Sequence, residues 1–364
     1  MTHVGIVGGG QLGRMLALAG HELGIGCVTL DPSAGSPAAG VAPAIRGAYG
    51  DRDRLAELAG RCDVVTYEFE NVPVEAARFV EELRPVFPPP AALEAAQDRL
   101  AEKGLFTTVG LPVPVFAPVD SPDSLGDALE RVGVPAVLKT RRLGYDGKGQ
   151  AMIRDPLLAE DAWRSVGEAP CLLEALVDFD RELSIVAVRG RDGSTAAYPV
   201  VENHHRDGIL RLTRAPAPSL DPEVQRAAES HAYSLMDELG YVGVLAIELF
   251  QVGDSLLGNE MAPRVHNTAH WTIEGAETSQ FENHLRAVCG LPLGSAAAVG
   301  VSAMVNLIGE MPERAPVLSV PGAHLHDYGK GPRPGRKLGH VTVRADDKGT
   351  LEERLDAVLA IVGS

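Results

Sequence analysis

Apolar segments in the first hundred residues alternate between the periods of strands and helices. Val4–Gly8, Cys27–Asp31 and Asp63–Glu70 are short apolar runs typical of buried strands, and Gln11–Leu23 and Val74–Leu83 have helical periodicity. Parallel strands need a crossover connection, which is usually a helix. Repeated strand–helix units of this kind therefore predict a doubly wound parallel sheet at the N-terminus.

The rest of the chain departs from this alternation. Residues 85–90 and 111–118 are rich in proline and bracket a predicted helix over 91–109. From Cys171 onward the predicted strands are longer and mostly antiparallel, and a helix over 223–239 separates two groups of them. We expect an α/β and α+β protein. Its expected domains are residues 1–97, 98–176 and 177–364.

Composition narrows the range of partners. The 364 residues carry a formal net charge of −16, which argues against nucleic acid or an anionic membrane as a partner. The four cysteines are widely spaced and match neither a zinc site nor a disulfide framework. No apolar run has the length of a membrane span, and the first residues lack the features of a signal peptide. We expect a cytoplasmic protein.

Two glutamates near residue 250 form the most informative pattern for chemistry. Glu248 and Glu260 lie in successive apolar runs that flank a Gly253-Asp254 turn signal, which predicts a β-hairpin. A three-residue loop would place the two carboxylates opposite each other, whereas a two-residue loop would pair Glu248 with Asn259. Opposed carboxylates repel unless a cation neutralises them, and Mg²⁺ prefers oxygen ligands. We favour a metal site over two solvated surface glutamates.

Two glycine-rich segments are candidates for phosphate binding. Gly8–Gly13 follows a strand and precedes a helix, with Asp31 ending the next strand, as in dinucleotide-binding proteins. Close packing of the strand on the helix also explains these glycines, and we favour that explanation. Gly144–Gln150 follows a strand that contains Lys139, and amides of glycine approach phosphate oxygens closely. Beside a metal site, this second segment indicates a nucleoside triphosphate.

Two further segments extend the candidate site. Glu174–Val177 is a short, largely apolar segment whose backbone is suited to an adenine edge, and Glu182 is suited to ribose hydroxyls. A buried linker with one exposed acid is the alternative for this segment. Four basic residues lie within eight positions of an acidic chain, and we favour capture of an anionic substrate over a solvated loop. They are Lys330, Arg333, Arg336 and Lys337.

These segments together resemble the ATP-grasp superfamily and, within it, the N5-carboxyaminoimidazole ribonucleotide synthetases of purine biosynthesis. The resemblance covers nearly the whole chain, through residues 8–16, 66–73, 98–103, 144–150, 181–183, 192–199, 203–211, 241–244, 259–272, 280–288 and 333–340. It implies an ATP-grasp fold behind an N-terminal pre-ATP-grasp domain. It also implies ATP as co-substrate, Mg²⁺ (or Mn²⁺) as cofactor, and a homodimer.

The resemblance also assigns a role to each matching residue. The implied ATP site comprises Arg99, Lys139, Gly144, Tyr145, Asp146, Gly147, Lys148, Gly149, Gln150, Glu174, Ala175, Leu176, Val177, Glu182, His205, Asn259 and Glu260. The implied metal ligands are Glu248 and Glu260. The implied substrate side comprises Tyr145, Asp146, Lys148, Arg264, His266, Asn267, Lys330 and Arg336. Among these, Arg264, His266, Asn267, Asp146 and Lys330 are the expected catalytic residues, with Asp146 and His266 as alternative proton handlers.

The implied reaction is the ATP-dependent carboxylation of aminoimidazole ribonucleotide with bicarbonate. Bicarbonate attacks the γ-phosphate to form carboxyphosphate, which passes its carboxyl group to the amine, and the glycine loop is expected to act as a lid. Another ATP-grasp ligase or transformylase is one alternative, and a non-catalytic nucleotide-binding module is a second. A nicotinamide-dependent dehydrogenase is a third, but it leaves the glutamate pair and the basic cluster unexplained.

Overall fold

Three β-sheets organise the chain in the computed structural model, which describes residues 2–144 and 148–363. The strands are β1 (His3–Val7), β2 (Gly26–Asp31), β3 (Ala44–Arg46), β4 (Val64–Tyr67), β5 (Phe116–Val119), β6 (Ala136–Thr140), β7 (Gln150–Ile153), β8 (Cys171–Ala175), β9 (Arg181–Arg189), β10 (Thr195–Ala197), β11 (Val201–Arg206), β12 (Ile209–Ala215), β13 (Gly243–Val252), β14 (Ser255–Ala262), β15 (Val301–Ile308), β16 (Ala323–Asp327) and β17 (Lys337–Ala345). The helices are α1 (Gln11–Glu22), α2 (Arg52–Gly60), α3 (Val74–Glu81), α4 (Pro90–Ala96), α5 (Arg99–Thr108), α6 (Pro122–Val132), α7 (Ala159–Ser165), α8 (Pro222–Glu238), α9 (Thr272–Gly275), α10 (Gln280–Cys289), α11 (Arg314–Leu318) and α12 (Lys348–Val362).

The N-terminal sheet is parallel and has the strand order β3-β2-β1-β4. Its strands are apolar and buried, because helices cover both faces of such a sheet. The predicted strand over 63–70 ends at Tyr67, and the residues that follow carry polar groups toward the rest of the molecule. The predicted doubly wound sheet is confirmed.

The glycine-rich loop before α1 is filled by side chains of the protein itself. The Glu68 carboxylate accepts hydrogen bonds from the N–H groups of Gly10 and Gly13, the latter at 2.6 Å. Asp31 Oδ2 accepts from the Gly9 N–H at 2.9 Å. A helix N-terminus favours negative charge, and here a protein carboxylate provides it where a dinucleotide would place its pyrophosphate. This geometry agrees with the packing explanation and argues against a nicotinamide site.

The middle sheet is antiparallel, with the order β5-β8-β6-β7. The prediction of a single helix over 91–109 was wrong, because two helices, α4 and α5, occupy this segment. The helical conformation is interrupted at Gln97 and Asp98, between α4 and α5. The Gln97 amide donates to two backbone carbonyls, and Asp98 caps α5 by accepting from the Leu100 N–H at 3.0 Å. A side chain that caps a helix start ends the preceding helix.

The large sheet has nine strands, in the order β14-β13-β9-β11-β12-β15-β17-β16, with β10 added beside β9. Helix α5 packs on this sheet through Phe106, which shares a buried cluster with Ile185 and Ile247. The C-terminal strands β15 to β17 continue the same sheet. Within residues 2–144 and 148–363, no helix combines the length and the apolar character that crossing a membrane requires.

We predict that Gly8→Ala destabilises the protein through the loop before α1. Gly8 has φ +113, and a Cβ there would lie 2.3 Å from Glu68 Cγ. Backbone strain and the clash together should cost about 2–4 kcal/mol of unfolding free energy. Gly24→Ala is the matched control, since Gly24 has φ +67 but no atom within 4 Å. Thermal melting should show a much larger loss for Gly8→Ala, and equal losses would contradict this packing account.

Candidate active site

The glutamate hairpin combines a short turn with a bulge. Val252 pairs with Ser255 across a two-residue turn, a register that would carry Glu248 to Asn259. A register shift beyond Leu249 inserts Asn259 as the extra residue, and Glu248 then pairs directly with Glu260. The two-residue loop and the opposed carboxylates, which the sequence presented as alternatives, therefore occur together.

The electrostatics of this pair are unfavourable in the protein alone. Burial, together with the charge of Glu260, raises the pKa of Glu248 to about 7. Arg99 Nη1 lies 3.2 Å from Glu260 Oε2 and offsets part of the negative charge. The Asn267 side chain is buried, and neither its Nδ2 nor its Oδ1 has a hydrogen-bond partner in the described part of the chain. A cation would neutralise the charge that remains on the pair.

Lys139 lies at the phosphate end of the candidate nucleotide site. It belongs to β6, and its ammonium pairs with Glu174, which also binds Lys103 at 2.6 Å. Burial raises the pKa of Glu174, but the two ammonium groups outweigh it and lower the pKa overall. The Glu174 side chain thus holds lysines, a role that the expected adenine contact did not include.

The second glycine segment connects β6 to β7. Gly144 and Gly149 both approach Thr140, and a Cβ on Gly149 would lie 2.5 Å from Thr140 Oγ1. Gln150 begins β7 and pairs with Lys139, and Lys148 lies in the turn before it. The expected site residues Tyr145, Asp146 and Gly147 lie outside the described residues.

The expected adenine-binding segment follows β8. The Ala175 N–H donates to the Val115 carbonyl at 2.8 Å, and the Leu176 N–H donates to the Pro135 carbonyl at 3.0 Å. These two donors are therefore already used within the protein. Any contact of this segment with a base must therefore use other backbone groups than these two amides.

Glu182 and His205 form a pair on neighbouring strands of the large sheet. Glu182 Oε2 lies 2.5 Å from His205 Nδ1. Burial lowers the pKa of His205, but the hydrogen bond to Glu182 and the charge of Glu248 outweigh it and raise the pKa overall. The raised pKa favours the positively charged form of His205 beside these carboxylates.

Arg264 joins the large sheet to the N-terminal domain. Its Nε donates to Glu70 Oε2 at 2.5 Å, and its Nη1 donates to the Val265 carbonyl at 3.0 Å. Burial raises the pKa of Glu70, but the Arg264 charge outweighs it and lowers the pKa overall. These two hydrogen bonds fix the guanidinium in one orientation.

His266 lies between Arg264 and the glutamate pair. Its Nε2 is 3.7 Å from Glu248 Oε1, and its Nδ1 is 3.0 Å from Thr268 Oγ1. Burial, reinforced by the charges of Arg264 and Lys337, lowers its pKa well below the ordinary value. The ring is therefore neutral near neutral pH and has the form of a base.

The basic loop before β17 reaches the glycine-rich loop of the N-terminal domain. Lys330 Nζ hydrogen-bonds to Gln11 Oε1. Burial, together with the charges of Arg336 and Lys337, lowers the pKa of Lys330 to about 8. Arg336 is half-buried and donates to the Gly331 carbonyl at 3.2 Å, whereas Arg333 is exposed. Of the expected substrate residues of this loop, Lys330 contacts the N-terminal domain, and Arg336 is held by its own loop.

Several functional candidates were missed by the sequence reasoning. Lys337 was noted only as part of the basic cluster, yet its charge acts on Glu248, His266 and Glu70. Glu68 and Glu70 follow β4, where ligand-binding residues of parallel sheets usually lie, and this position could have indicated them. The other missed residues are Glu102 and Lys103, which are buried at the first turns of α5.

Comparison with known proteins identifies the family of the chain. Residues 1–97 match the ribonucleotide synthetase preATP-grasp domain, and residues 104–281 match the ATP-grasp domain. Residues 302–354 match the phosphoribosylaminoimidazole carboxylase C-terminal domain. The three matches follow one another along the chain without overlap.

Relatives align over nearly the full length. The N5-carboxyaminoimidazole ribonucleotide synthase of Pseudomonas aeruginosa is 51% identical over 99% of both chains. The enzyme of the same name from Brucella melitensis is 48% identical over 93% of this chain and 95% of its own.

Solved structures agree with this alignment. The N5-carboxyaminoimidazole ribonucleotide synthetase of Thermus thermophilus superimposes with a TM-score of 0.96, at 57% identity over 99% of both chains. The enzyme of Aspergillus clavatus, solved with ADP and 5-aminoimidazole ribonucleotide, has a TM-score of 0.92 and 31% identity over 100% of this chain and 98% of its own. The chain belongs to the N5-carboxyaminoimidazole ribonucleotide synthetase family of ATP-grasp ligases.

Proposed function

We propose that this ligase carboxylates 5-aminoimidazole ribonucleotide with bicarbonate and ATP at the junction of its three sheets. The observation that carries the proposal is the Glu248–Glu260 pair, whose partly buried carboxylates lie opposite each other on β13 and β14. Neither a dehydrogenase nor a non-catalytic module explains a carboxylate pair of this kind. The Aspergillus clavatus relative was solved with ADP and the same ribonucleotide, which supports these substrates.

A magnesium ion fits the carboxylate pair. Among the residues that the structure describes, no group of three or more His, Cys, Asp or Glu side chains is arranged to hold a metal ion. Two carboxylates are the usual protein contribution to a Mg²⁺ that also binds substrate phosphates. Glu248 and Glu260 would hold the ion, with Asn267 as a further oxygen ligand. Bound there, Mg²⁺ would neutralise charge on the transferring phosphoryl group.

Residues around this pair would hold the nucleotide. Lys139, Lys148 and the Gly144–Gln150 segment would hold the phosphates, and Arg99 and protonated His205 would add charge near them. The Glu174–Val177 segment would border the adenine, with Val177 supplying the backbone contacts. Glu182 would accept from the ribose while it orients His205.

The substrate side lies between the large sheet and the N-terminal domain. Arg264, held by Glu70, would bind bicarbonate and then the carboxyl group of carboxyphosphate. When the amine forms its new C–N bond, the C–O bond of carboxyphosphate breaks and inorganic phosphate leaves. Neutral His266 would accept the proton that the amine loses, with Asp146 as the alternative acceptor. Lys330 and Arg336 would hold the ribonucleotide phosphate, with Lys330 bound to Gln11 at the start of α1.

The remaining expectations extend this proposal. Three separate sheets support a division at 1–97, 98–176 and 177–364, although α5 packs on the large sheet. We propose small molecules as the partners and a homodimer as the assembly, which light scattering of the purified protein would test.

Phosphate release from ATP is the direct test of the proposed reaction. It should require bicarbonate and aminoimidazole ribonucleotide together, and omission of either should reduce it to background. Glu260→Gln removes one charge of the pair and should lower turnover at least about a hundredfold. A near-wild-type rate for Glu260→Gln at saturating Mg²⁺ would show that the hairpin carboxylates are structural.

Replacement of Arg336 separates ribonucleotide binding from ATP binding. We expect Arg336→Ala to raise the KM for aminoimidazole ribonucleotide by roughly thirtyfold, since a lost charge-assisted pair costs about 2 kcal/mol. The KM for ATP should barely change. Arg333→Ala, in the exposed part of the same loop, is the matched control and should have little effect. A raised KM for ATP with an unchanged KM for aminoimidazole ribonucleotide would contradict this assignment, because it would show that the loop serves ATP binding.

The pH dependence of stability tests the strain in the carboxylate pair. Glu248 has a pKa of about 7 in the folded protein and an ordinary value of 4.5. Above pH 7, the ionised carboxylate of Glu248 therefore lowers the free energy of unfolding. This loss of stability disappears as the pH falls toward 4.5, because Glu248 is then protonated in the folded protein. Without metal or nucleotide, Glu248→Gln should melt higher than the wild type at about pH 8, and the difference should shrink toward about pH 5.

Glu353→Gln is the control for this comparison, because Glu353 is exposed on α12. It should leave the melting temperature unchanged at both pH values. A Glu248→Gln protein that melts lower than the wild type at the higher pH would contradict the proposed repulsion.

A further inference from the structure

A buried lysine on α5 contacts the bulge in the glutamate hairpin. Lys103 has 1% of its side chain exposed. Its Nζ donates to the Gly258 carbonyl at 2.9 Å and to the Asn259 carbonyl at 2.8 Å. A third contact, at 2.6 Å, is to Glu174 Oε1. Two of the N–H donors of the ammonium therefore bind the bulge carbonyls, and the ion pair with Glu174 balances its charge.

Glu102, the residue before Lys103, binds β14 at the residue that follows Glu260. Glu102 Oε1 accepts a hydrogen bond from the Met261 N–H at 2.6 Å. Glu102 is buried as fully as Lys103. Two consecutive residues of α5 therefore fix the carbonyls just before Glu260 and the amide just after it.

A glycine allows α5 to come this close to β14. A Cβ on Gly258 would lie 2.7 Å from Phe106 Cδ2 and 2.8 Å from Leu111 Cδ2. The Gly258 N–H also donates to the Pro112 carbonyl at 2.7 Å. The strand is thus held against the helix at the position where the bulge begins.

Lys103 is also linked to Lys139, the expected phosphate-binding lysine, because both pair with Glu174. One oxygen of Glu174 binds Lys103, and the other binds Lys139. Burial of charged groups is costly, and a buried ion pair is by itself a poor source of stability. A purely structural pair would need no contact with the bulge carbonyls. The position of Lys103 therefore suits a role in holding the bulge and Glu174 in place.

We propose that Lys103 is a positioning residue that holds the bulge at Asn259, keeps Glu260 opposite Glu248, and fixes Lys139 through Glu174. This inference rests on the proposed function, in which the glutamate pair and Lys139 serve metal and phosphate. Lys103 itself touches no reacting atom in this account. Its loss should therefore impair metal and ATP binding while leaving the ribonucleotide side intact.

The test compares Lys103→Met with the wild type in the intact enzyme. Mn²⁺ binding to the ADP complex, followed by electron paramagnetic resonance, should weaken at least about tenfold. The KM for ATP should rise and kcat should fall. Binding of aminoimidazole ribonucleotide, measured by calorimetry, should change by less than about twofold.

Arg189→Met is the matched control on the same sheet. Arg189 also binds a backbone carbonyl, that of Met236 at 3.1 Å, and a carboxylate, Asp237 at 2.7 Å. It lies at the opposite end of β9 from Glu182, so its removal should not alter Mn²⁺ binding. If Lys103→Met fails to fold, Lys103→Arg is tested in its place. Arginine keeps the positive charge but presents its N–H donors in a planar fork. We expect it to weaken Mn²⁺ binding in the same direction.

Wild-type Mn²⁺ affinity in a folded Lys103→Met protein, or in Lys103→Arg if only that protein folds, would overturn the inference. The proposed function fails separately, if the wild type releases no phosphate with all three substrates. Mn²⁺ binding to the ADP complex is measured without turnover, so the role of Lys103 is decided in either case.

Discussion

The repulsion between two opposed carboxylates is the constraint on which the rest of the site depends. Glu248 and Glu260 face each other across a hairpin, and the protein only partly neutralises them, through Arg99 beside Glu260 and the charges of His205 and Lys337 near Glu248. Like charges at paired positions are destabilising unless a cation joins them. The arrangement costs stability in the free protein, and the metal ion of the proposed function would remove that cost. The surrounding charges are consistent with such a site.

The three sheets meet at this site through a small number of polar contacts. Glu70 of the N-terminal domain orients Arg264 of the large sheet, and Lys330 reaches Gln11 beside the N-terminal glycine loop. The middle sheet contributes Lys139 through the Glu174 bridge. A water-labile intermediate such as carboxyphosphate must form and react in one protected place, and a junction of three parts provides it.

Much of this architecture follows from local patterns in the sequence. The parallel N-terminal sheet, α8 and the glutamate hairpin were predictable, because hydrophobic period and turn residues determine them locally. The bulge at Asn259 was not, because it depends on contacts between α5 and β14, which are distant in sequence. The break between α4 and α5 was missed because side chains of Gln97 and Asp98 compete with a continuous helix. Lys103 and Glu174 lie in apolar surroundings, and their partners are visible only in the fold.

A crystal structure of the enzyme with ADP and Mn²⁺ tests the central claim most directly. Anomalous scattering would locate the metal independently of its ligands. We predict one Mn²⁺ bound to oxygens of both Glu248 and Glu260, at distances of about 2.2 Å, and to the nucleotide phosphates. A metal held by the phosphates alone, with the two carboxylates unchanged and apart from it, would contradict the account.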